Sequence, residues 1–297
     1  MSFSSEVKQE LIRVSLGQPD CCAQAQLYGL LLLGHEFSRR GVRLRTESQA
    51  LAQYGAAQLH EIELATAQVR RSGRKWEVTM REAERGRVLE RFGHGENELS
   101  LHIVRENLTC ENCRTAFLRG AFLSCATVSD PQQQYHLEFT VASKRLAGAL
   151  CALLEEAGLP PKLCQRKGVW LLYYKDSGQI EDVLALLGAQ LAMLGLVNIK
   201  IEKDMRNNVN RLVNFEMANM GRSSAAAAAQ LRAVARLRAG PGLESLTPPL
   251  REAALLREEN PEASLQELCD LASQPVTRSG MNHRLKKLEA LAAENPP

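Results

Sequence analysis

Two apolar segments, each with a glycine among large side chains, recur within the same order of surrounding elements. Residues 27–33 read LYGLLLL and residues 117–123 read FLRGAFL, which places Gly29 and Gly120 at matching positions. Because glycine has no side chain, a helix that carries it can approach another backbone closely. A single copy would indicate only a buried core helix. Two matched copies predict a pseudo-symmetric pair of helices packed against each other.

The segments that follow each of these helices also repeat. In the first half we predict a strand at 42–46, a helix at 48–64, strands at 67–70 and 76–80, and a helix at 84–92. In the second half we predict a strand at 135–141, a helix at 143–157, strands at 162–166 and 169–174, and a helix at 177–187. Alternating apolar residues favour the strands, whereas glycine and proline end the helices. This order predicts an α+β domain made of two repeats.

The C-terminal segment has the pattern of a helix-turn-helix. Residues 264–271 form a short predicted helix, residues 273–275 a turn, and a second helix begins near Thr277. One face of the second helix is predicted to be buried, because apolar residues recur with helical spacing at Met281, Leu285, Leu288 and Leu291. We expect the first helix to pack through Leu265, Leu268 and Leu271 against Leu250, Leu255 and Leu256.

The polar residues of the second helix are of the types that read DNA in the major groove. We predict seven DNA-binding residues: Arg278, Ser279, Asn282, His283, Arg284, Lys286 and Lys287. Ser279, Asn282 and His283 lie early in the helix, which suits contact with base edges. Arg278 could reach a guanine or a phosphate, and the remaining three suit the phosphate backbone. The alternative is a three-helix interaction module with a charged rim.

Composition places few limits on the partner. The chain of 297 residues is 45% hydrophobic and 24% charged, with a net charge of +3, which permits nucleic-acid binding without requiring it. The start of the chain lacks the pattern of a secretion signal, and the longest apolar run, 30–33, is too short to span a bilayer. We therefore expect a cytoplasmic, nucleoid-associated protein with reduced cysteines and no membrane partner.

The cysteines and histidines do not predict a metal site or a catalytic site. Cys110 and Cys113 have the spacing of zinc ligands, but the adjacent pair Cys21–Cys22 is a poor second pair for that geometry. We expect these four to be small buried residues at helix starts, and Cys151, Cys164 and Cys269 to be core residues. The histidines at 35, 60, 94 and 102 share no spacing with acids or nucleophiles. We expect no catalytic residue, no cofactor and no enzyme activity.

Several segments together carry a resemblance to a known family. The repeated glycine-containing helices resemble the paired central helices of LAGLIDADG homing endonucleases. Over nearly its full length the chain resembles the WhiA family, through MSFSSE at 1–6, the Cys21–Cys22 pair, LRGAFL at 118–123, KDMRNNVNR at 203–211 and SGMNHRL at 279–285. This resemblance implies a degenerate endonuclease scaffold joined to a helix-turn-helix. It also implies a transcription regulator acting on cell division, chromosome segregation and, in spore-formers, sporulation.

The resemblance also indicates where an endonuclease would hold its metal ions. Its two carboxylates correspond here to Gly34 and Cys125. Glycine offers no ligand, and a thiol is a poor ligand for a hard ion such as Mg²⁺. Glu36 and Asp130 lie nearby, but at unmatched offsets in the two halves. We therefore expect a scaffold that does not cleave DNA.

The predicted sheets offer a second surface for DNA or for protein. Arg43 and Arg45 share a face of one strand, and Lys75, Glu77, Thr79 and Arg81 share a face of another. In the second half His136, Glu138 and Thr140 face away from the apolar side. Additional phosphate contacts are predicted for Arg43, Arg45, Arg206 and Arg211. Solvated charges over a packed sheet are the alternative.

These patterns predict three parts and one main function. We expect a LAGLIDADG-like domain at 1–205, a helical connector at 206–244 and a helix-turn-helix domain at 245–297. The expected partner is double-stranded DNA, bound with sequence specificity. One alternative is an adaptor that reaches promoters through an RNA polymerase sigma subunit or another transcription regulator. The other is an active metal-dependent endonuclease.

Overall fold

A computed structural model describes residues 2–95, 98 and 100–294 of the chain. The chain divides into two compact units, residues 1–203 and 204–297. The predicted domain boundary at 205 lies close to this division. Each unit has its own apolar core, and the two are described separately below.

The N-terminal unit contains two runs of elements in the same order, except that the first run begins with an additional helix. The first run comprises α1 (Phe3–Val14), α2 (Asp20–Leu32), β1 (Glu36–Ser38), β2 (Gly41–Thr46), α3 (Gln49–Glu61), β3 (Gln68–Ser72), β4 (Lys75–Thr79) and α4 (Glu82–Arg91). A single 3-10 turn, Arg105–Asn107, precedes the second run. That run comprises α5 (Glu111–Cys125), β5 (Ala126–Val128), β6 (Leu137–Val141), α6 (Lys144–Glu156), β7 (Lys162–Arg166), β8 (Val169–Tyr174) and α7 (Ser177–Leu187).

The two repeats form two antiparallel sheets with the same strand order. These orders are β1-β2-β4-β3 and β5-β6-β8-β7. The structure confirms the α+β fold of two repeats, and β7, β8 and α7 have the predicted bounds. Helix α1 and the three-residue strands β1 and β5 were not predicted. A strand of three residues gives too short an alternation to be recognised in a sequence.

Helices α3 and α6, which occupy equivalent places in the two repeats, begin with similar caps. Ser48 Oγ accepts a hydrogen bond from Leu51 N at 3.2 Å at the start of α3, and Ser143 Oγ accepts one from Leu146 N at 3.4 Å at the start of α6. Serine at this position satisfies a backbone donor that has no partner within the helix. The same local chemistry therefore starts the equivalent helix in each half.

Helices α2 and α5 pack at the centre of the unit, as their glycines predict. A Cβ atom on Gly29 would lie 2.3 Å from the carbonyl oxygen of Phe117, and one on Gly120 would lie 2.0 Å from that of Gln26. Such distances are shorter than van der Waals contact, so only glycine permits this approach. The surrounding side chains of both helices are buried.

A buried polar network, which no pattern in the sequence indicated, also joins these helices. The fully buried Gln26 donates from Nε2 to Ser15 Oγ at 2.6 Å and to Tyr54 Oη at 2.8 Å. Arg119 of α5 donates to Gln26 Oε1 at 3.3 Å and to the carbonyl oxygen of Leu187 at 2.7 Å. Burial lowers the pKa of the Arg119 guanidinium. Hydrogen bonds offset the cost of burying these groups and fix the register of the helix pair.

The regular elements of the C-terminal unit are all helices in the part that the structure describes. It contains most of α8 (Gln190–Ala239), a 3-10 turn (Leu243–Ser245), α9 (Pro248–Glu259), α10 (Leu265–Asp270) and α11 (Arg278–Glu294). Its core includes Leu250 of α9, Leu268 of α10 and Met281 of α11, together with Ala233, Val234 and Leu237 near the end of α8. Part of the predicted connector at 206–244 therefore contributes to this core.

Two of the leucines expected to pack this unit are exposed instead. Leu271 follows α10 and is 53% exposed, and Leu255 of α9 is 38% exposed. The prediction that they pack was wrong. Leu271 lies beyond the end of α10 at Asp270, and α9 buries Ala253, Ala254 and Arg257 rather than Leu255. On α11, Met281, Leu285 and Leu288 are buried as predicted, and Leu291 packs at the margin.

Candidate nucleic-acid interface

The first turn of α11 projects polar side chains from a fixed start. Thr277 Oγ1 accepts a hydrogen bond from Gly280 N at 3.1 Å, and Thr277 O accepts one from Met281 N at 2.9 Å. The hydroxyl supplies a partner for an amide in the first turn, where no intrahelical acceptor exists. The helix therefore begins at Arg278, in agreement with the predicted second helix of the helix-turn-helix.

The structure places six of the seven predicted DNA-binding residues on one side of α11. Arg278, Asn282 and Lys286 are spaced by four residues, which brings them close together along the helix. The same spacing relates a second row: Ser279, His283 and Lys287. Five of the six are exposed and Asn282 is half-buried. Within residues 2–95, 98 and 100–294 these six side chains form no hydrogen bond or ion pair, so their polar groups are available to a ligand.

Arg284, the seventh, lies beside the buried face. Its Nη1 atom is 3.5 Å from Glu252 Oε2 of α9, and its side chain is 23% exposed. Glu252 Oε1 also accepts a hydrogen bond from Ser273 N at 2.7 Å. These bonds from Ser273, with the charge of Arg284, lower the pKa of Glu252. Arg284 therefore helps to hold α9, the turn and α11 together, and it does not join the exposed row.

A buried arginine fixes the other end of the helix-turn-helix. Arg257 of α9 is 2% exposed, and burial lowers the pKa of its guanidinium. Its Nε donates to Gln230 Oε1 of α8 at 2.9 Å, and its Nη1 donates to the carbonyl oxygen of Ala263 at 2.7 Å. Ala263 directly precedes the start of α10. Arg257 therefore ties α8 to that start, a role that its position in a charged run did not indicate.

A capping box then begins α10. Ser264 Oγ accepts a hydrogen bond from Glu267 N at 3.2 Å, and Glu267 Oε2 accepts one from Ser264 N at 2.7 Å. Because the carboxylate form accepts this bond, the pKa of Glu267 is lowered. The sequence SLQE is the typical pattern of such a box, and it helps a helix of only six residues to form.

The four predicted phosphate contacts lie in separate places. Arg43 and Arg45 are exposed on β2, and Arg206 and Arg211 are exposed on α8 in the C-terminal unit. Arg43 Nε pairs with Glu36 Oε2 at 3.3 Å. Arg206 and Arg211 are five residues apart, so they point in different directions from α8.

Antiparallel pairing brings the predicted charged rows of the first sheet onto one face. Arg43 lies opposite Thr79, and Arg45 lies opposite Glu77, which in turn lies opposite Arg70 of β3. Directly paired residues share a face, so this face combines cations with carboxylates. The alternation within each strand was predictable from the sequence, but the register between strands was not.

The equivalent face of the second sheet is less basic. Glu138 lies between Thr127 and Tyr173, and Thr140 lies opposite Leu171. Glu138 Oε2 is also 3.0 Å from His136 Nε2. The two halves therefore share a backbone arrangement but present different chemistry to a ligand.

The positions that correspond to endonuclease carboxylates hold no ligand for a hard metal ion. Gly34 follows the end of α2, and Cys125 is the last residue of α5. Burial raises the pKa of the Cys125 thiol to about 12, and Lys8 of α1 interacts with it electrostatically. A neutral thiol beside a cationic side chain disfavours Mg²⁺ at this place.

The two nearby carboxylates serve other contacts. Glu36 pairs with Arg43 and accepts a hydrogen bond from Ser38 Oγ at 3.3 Å. Asp130 Oδ1 accepts a hydrogen bond from Gln132 N at 2.9 Å in a turn. Their different surroundings agree with their unmatched offsets in the sequence.

Two histidines do share a spacing with an acid, contrary to the sequence-based expectation. Glu98 is four residues from both His94 and His102, and its two oxygens lie 2.7 and 2.8 Å from their Nδ1 atoms. His94 Nε2 is also 2.8 Å from Tyr28 Oη, which accepts a hydrogen bond from Val104 N at 2.9 Å. Both ring nitrogens of the buried His94 imidazole therefore have partners within the protein.

The cysteines differ from their predicted environments. Cys21 is half-buried and Cys110 is exposed, so the expectation of four small buried residues holds only for Cys22 and Cys113. The sulfur atoms of all four lie within 4.8 Å of one another. Cys151 and Cys164 are half-buried rather than core residues, whereas Cys269 is buried as expected. Cys21 and Cys22 lie beside Cys110 and Cys113 because the starts of α2 and α5 meet. No local sequence pattern indicates that contact.

No helix within the part of the chain that the structure describes combines the length and apolar character needed to cross a bilayer. The long α8 carries many charged and amide side chains between its ends.

Two family models match the chain in order. A model described as the WhiA LAGLIDADG-like domain matches residues 114–206, and one described as the WhiA C-terminal HTH domain matches residues 209–292. The first match covers the second repeat and the beginning of α8. The other covers the helices that carry the predicted DNA-binding residues.

Curated relatives match almost the whole chain. A "Probable cell division protein WhiA" of Desulforudis audaxviator is 39% identical over 304 residues, which cover 98% of this chain and 97% of the relative. A protein of the same name in Moorella thermoacetica is 37% identical over 300 residues, or 99% and 92% of the two chains. These names describe cell division proteins rather than enzymes.

A solved structure supports the fold. The full-length DUF199/WhiA protein of Thermotoga maritima matches with a TM-score of 0.59 and 23% identity, and the match covers 100% of both chains. At this identity the likeness concerns the arrangement of the elements. It agrees with a LAGLIDADG-like unit followed by a helical helix-turn-helix unit.

Proposed function

The chain belongs to the WhiA family, and on that premise we propose that it is a sequence-specific DNA-binding regulator of transcription. The observation that carries this proposal is the exposed side of α11, where six polar side chains stand without partners among the described residues. The opposite side of the same helix is held in the core by Met281, Leu285 and Leu288.

The proposed chemistry follows the positions of these residues. Ser279, Asn282 and His283 lie in the first two turns of α11 and would contact base edges in the major groove. Lys286 and Lys287 lie further along the helix and would contact phosphates, and Arg278 would contact a guanine or a phosphate. Arg284 would act through Glu252 by positioning α11.

We place this regulator in the control of cell division, the process named in its relatives. Action on chromosome segregation and, in a spore-forming host, on sporulation extends the same proposal. A protein that binds double-stranded DNA in this role would be found in the cytoplasm at the nucleoid. Arg43, Arg45, Arg206 and Arg211 would add phosphate contacts if the bound DNA reaches them.

Selection from a randomised pool of DNA duplexes tests the proposal with the full-length chain. We expect enrichment of one sequence motif, and tighter binding of that motif than of shuffled duplexes at physiological salt. Asn282→Ala and Lys286→Ala should both lose affinity. An unenriched pool, together with no binding even at low salt, would contradict DNA recognition.

A second function is favoured by the apolar side chains on α8. Met205, Val209, Leu212, Phe215 and Met220 are each more than half exposed. Exposed apolar side chains in such number are typical of a protein-binding surface. We propose as the alternative an adaptor that reaches promoters through an RNA polymerase sigma subunit or another transcription regulator.

The two functions predict different effects of substitution in cells. Promoter occupancy should fall for Asn282→Ala if α11 reads DNA, and for Leu212→Ser if α8 recruits the protein. Chromatin immunoprecipitation of both variants at equal protein level distinguishes them. Unchanged occupancy for Asn282→Ala with lost occupancy for Leu212→Ser would favour the adaptor.

A further inference from the structure

Four cysteines from the two halves of the N-terminal unit converge at the starts of its paired central helices. Cys21 and Cys22 lie in the first turn of α2, Cys110 is the N-cap of α5, and Cys113 lies in its first turn. All four sulfur atoms lie within 4.8 Å of one another. Residues nearly ninety positions apart in the sequence thus form one cluster.

The distances within the cluster suit a tetrahedral ion. Cys110 Sγ is 3.7 Å from Cys21 Sγ, 3.6 Å from Cys22 Sγ and 3.4 Å from Cys113 Sγ. Four thiolates that each lie about 2.3 Å from a zinc ion are about 3.8 Å apart along the edges of the tetrahedron. A covalent disulfide would require a separation of about 2.05 Å. The observed spacing therefore fits metal-bound sulfurs better than a disulfide.

The pseudo-symmetry of the fold builds this site. Cys22 and Cys113 stand seven residues before Gly29 and Gly120, so they are equivalent positions of the two repeats. The N-caps Pro19 and Cys110 are equivalent in the same way. The close approach of α2 and α5 at their glycines therefore brings the two helix starts together.

Cys21 and Cys22 can both supply a ligand because the sulfur atoms of both lie close to Cys110 Sγ of α5. Neighbouring residues on a helix point about 100° apart, which usually prevents them from sharing a ligand. Here Cys110 lies within hydrogen-bonding distance of both Cys21 and Cys22. Its position at the N-cap, one turn before Cys113, makes this possible.

The backbone around the cluster suits anionic ligands, because Cys21, Cys22, Cys110 and Cys113 all lie at helix starts. The amino ends of two helices, which carry partial positive charge, lie at the cluster. Thr109 Oγ1 is 3.7 Å from Cys113 Sγ and provides a further polar contact to the ligand set.

We propose that Cys21, Cys22, Cys110 and Cys113 bind one Zn²⁺ ion as a structural tetrathiolate site that joins the starts of α2 and α5. The donor set excludes hard ions, since four sulfurs bind Mg²⁺ and Ca²⁺ poorly. A closed set of four protein ligands leaves no position for substrate, so the site stabilises the fold rather than performing catalysis.

Metal analysis of the full-length protein, purified without chelators and without immobilised-metal resin, tests this proposal. We expect about one zinc ion per chain by elemental mass spectrometry. Replacement of zinc by Co²⁺ should give the intense thiolate-to-cobalt absorption and the d–d bands of a tetrahedral sulfur site. Cys110→Ser should abolish both signals, and its exposed position makes it the variant most compatible with folding.

Matched variants separate the cluster from the other thiols. Cys151→Ser and Cys164→Ser remove half-buried cysteines outside the cluster and should retain the metal. Circular dichroism establishes whether Cys110→Ser is folded. If it is not, the cobalt spectrum of the wild-type protein decides the question.

The proposal would be overturned by protein that lacks stoichiometric zinc and also fails to give the cobalt spectrum, or by zinc retained in Cys110→Ser. It would also be overturned by iron with labile sulfide in place of zinc, or by a disulfide among the four cysteines in non-reducing peptide mapping.

Discussion

A Cβ atom on Gly29 would lie 2.3 Å from the carbonyl oxygen of Phe117, so the absence of a side chain at Gly29 allows α2 and α5 to pack this closely. Gly120 stands in the equivalent relationship to Gln26. Each glycine thus accommodates the backbone of the opposite helix. The pair of contacts ties the two halves of the N-terminal unit into one core.

Gly120→Ala should destabilise the N-terminal unit by about 3 kcal/mol or more, because the new methyl group would meet backbone that cannot move aside. Trp76 and Trp170 both lie in this unit, so the fluorescence change on chemical denaturation reports its unfolding. Gly148→Ala in α6 is the matched control, since its Cβ would meet nothing within 4 Å. The control should be neutral or stabilising by up to about 1 kcal/mol. Equal stability of the two variants would contradict the close-packing account.

Asn282→Ala should cost about 1–3 kcal/mol in binding to the selected DNA motif if the amide forms two hydrogen bonds with adenine. The loss should be concentrated at one base position, where the preference becomes weaker. Fluorescence anisotropy with the motif and its single-base variants measures both effects. An equal loss on all duplexes would show that Asn282 does not read bases.

Lys286→Ala should weaken binding to every duplex by a similar factor, because a phosphate contact carries no sequence information. The slope of log affinity against log salt should become shallower by about one unit. Lys286→Arg keeps the charge and is the control that should preserve the slope. A change of base preference in Lys286→Ala would argue against a phosphate contact.

Glu252→Gln should loosen the helix-turn-helix by about 1 kcal/mol at neutral pH, since it removes the charge that faces Arg284 and weakens the bond to Ser273. The folded state lowers the pKa of Glu252 from its ordinary value of 4.5. Its stabilising contribution is therefore present above pH 4.5 and is lost as the pH falls below that value. Hydrogen exchange of peptides from α9 to α11 should show a difference between variant and wild type that shrinks on acidification. A difference that grows in acid would contradict this assignment.

Purified full-length protein should leave supercoiled DNA intact in the presence of Mg²⁺ or Mn²⁺, because Gly34 and Cys125 offer no hard ligands at the expected metal positions. Gel electrophoresis of DNA carrying the selected motif is the direct measurement. Cleavage that requires metal and disappears in Glu36→Gln or Asp130→Asn would instead establish an active endonuclease.

Periodicity in the sequence was informative where an element is long and has one buried face. Strands β7 and β8 and the final helix of the second repeat, α7, follow their predicted bounds, and α11 buries Met281, Leu285 and Leu288 as expected. Short elements were missed, among them β1 and β5, because three residues are too few to show a period. Leu271 was misplaced because the end of α10 depends on the following turn.

The availability of individual side chains could not be read from the same patterns. Arg284 and Lys286 both belong to the cationic run of α11, yet only Arg284 pairs with Glu252. Arg257 occurs in a charged segment but is buried by contacts from α8 and the start of α10. Partners from distant segments decide these roles, and a helical period contains no information about them.

The amino-acid sequence alone determined the order of the two repeats, the glycines of the paired helices and the polar side of α11, since each depends on neighbours within a few residues. Tertiary structure alone decided the register that combines Arg45, Glu77 and Arg70 on one face, and the meeting of Cys22 with Cys110. These relationships join segments far apart in the chain. They are fixed by the packing of whole helices and sheets, which local spacing does not encode.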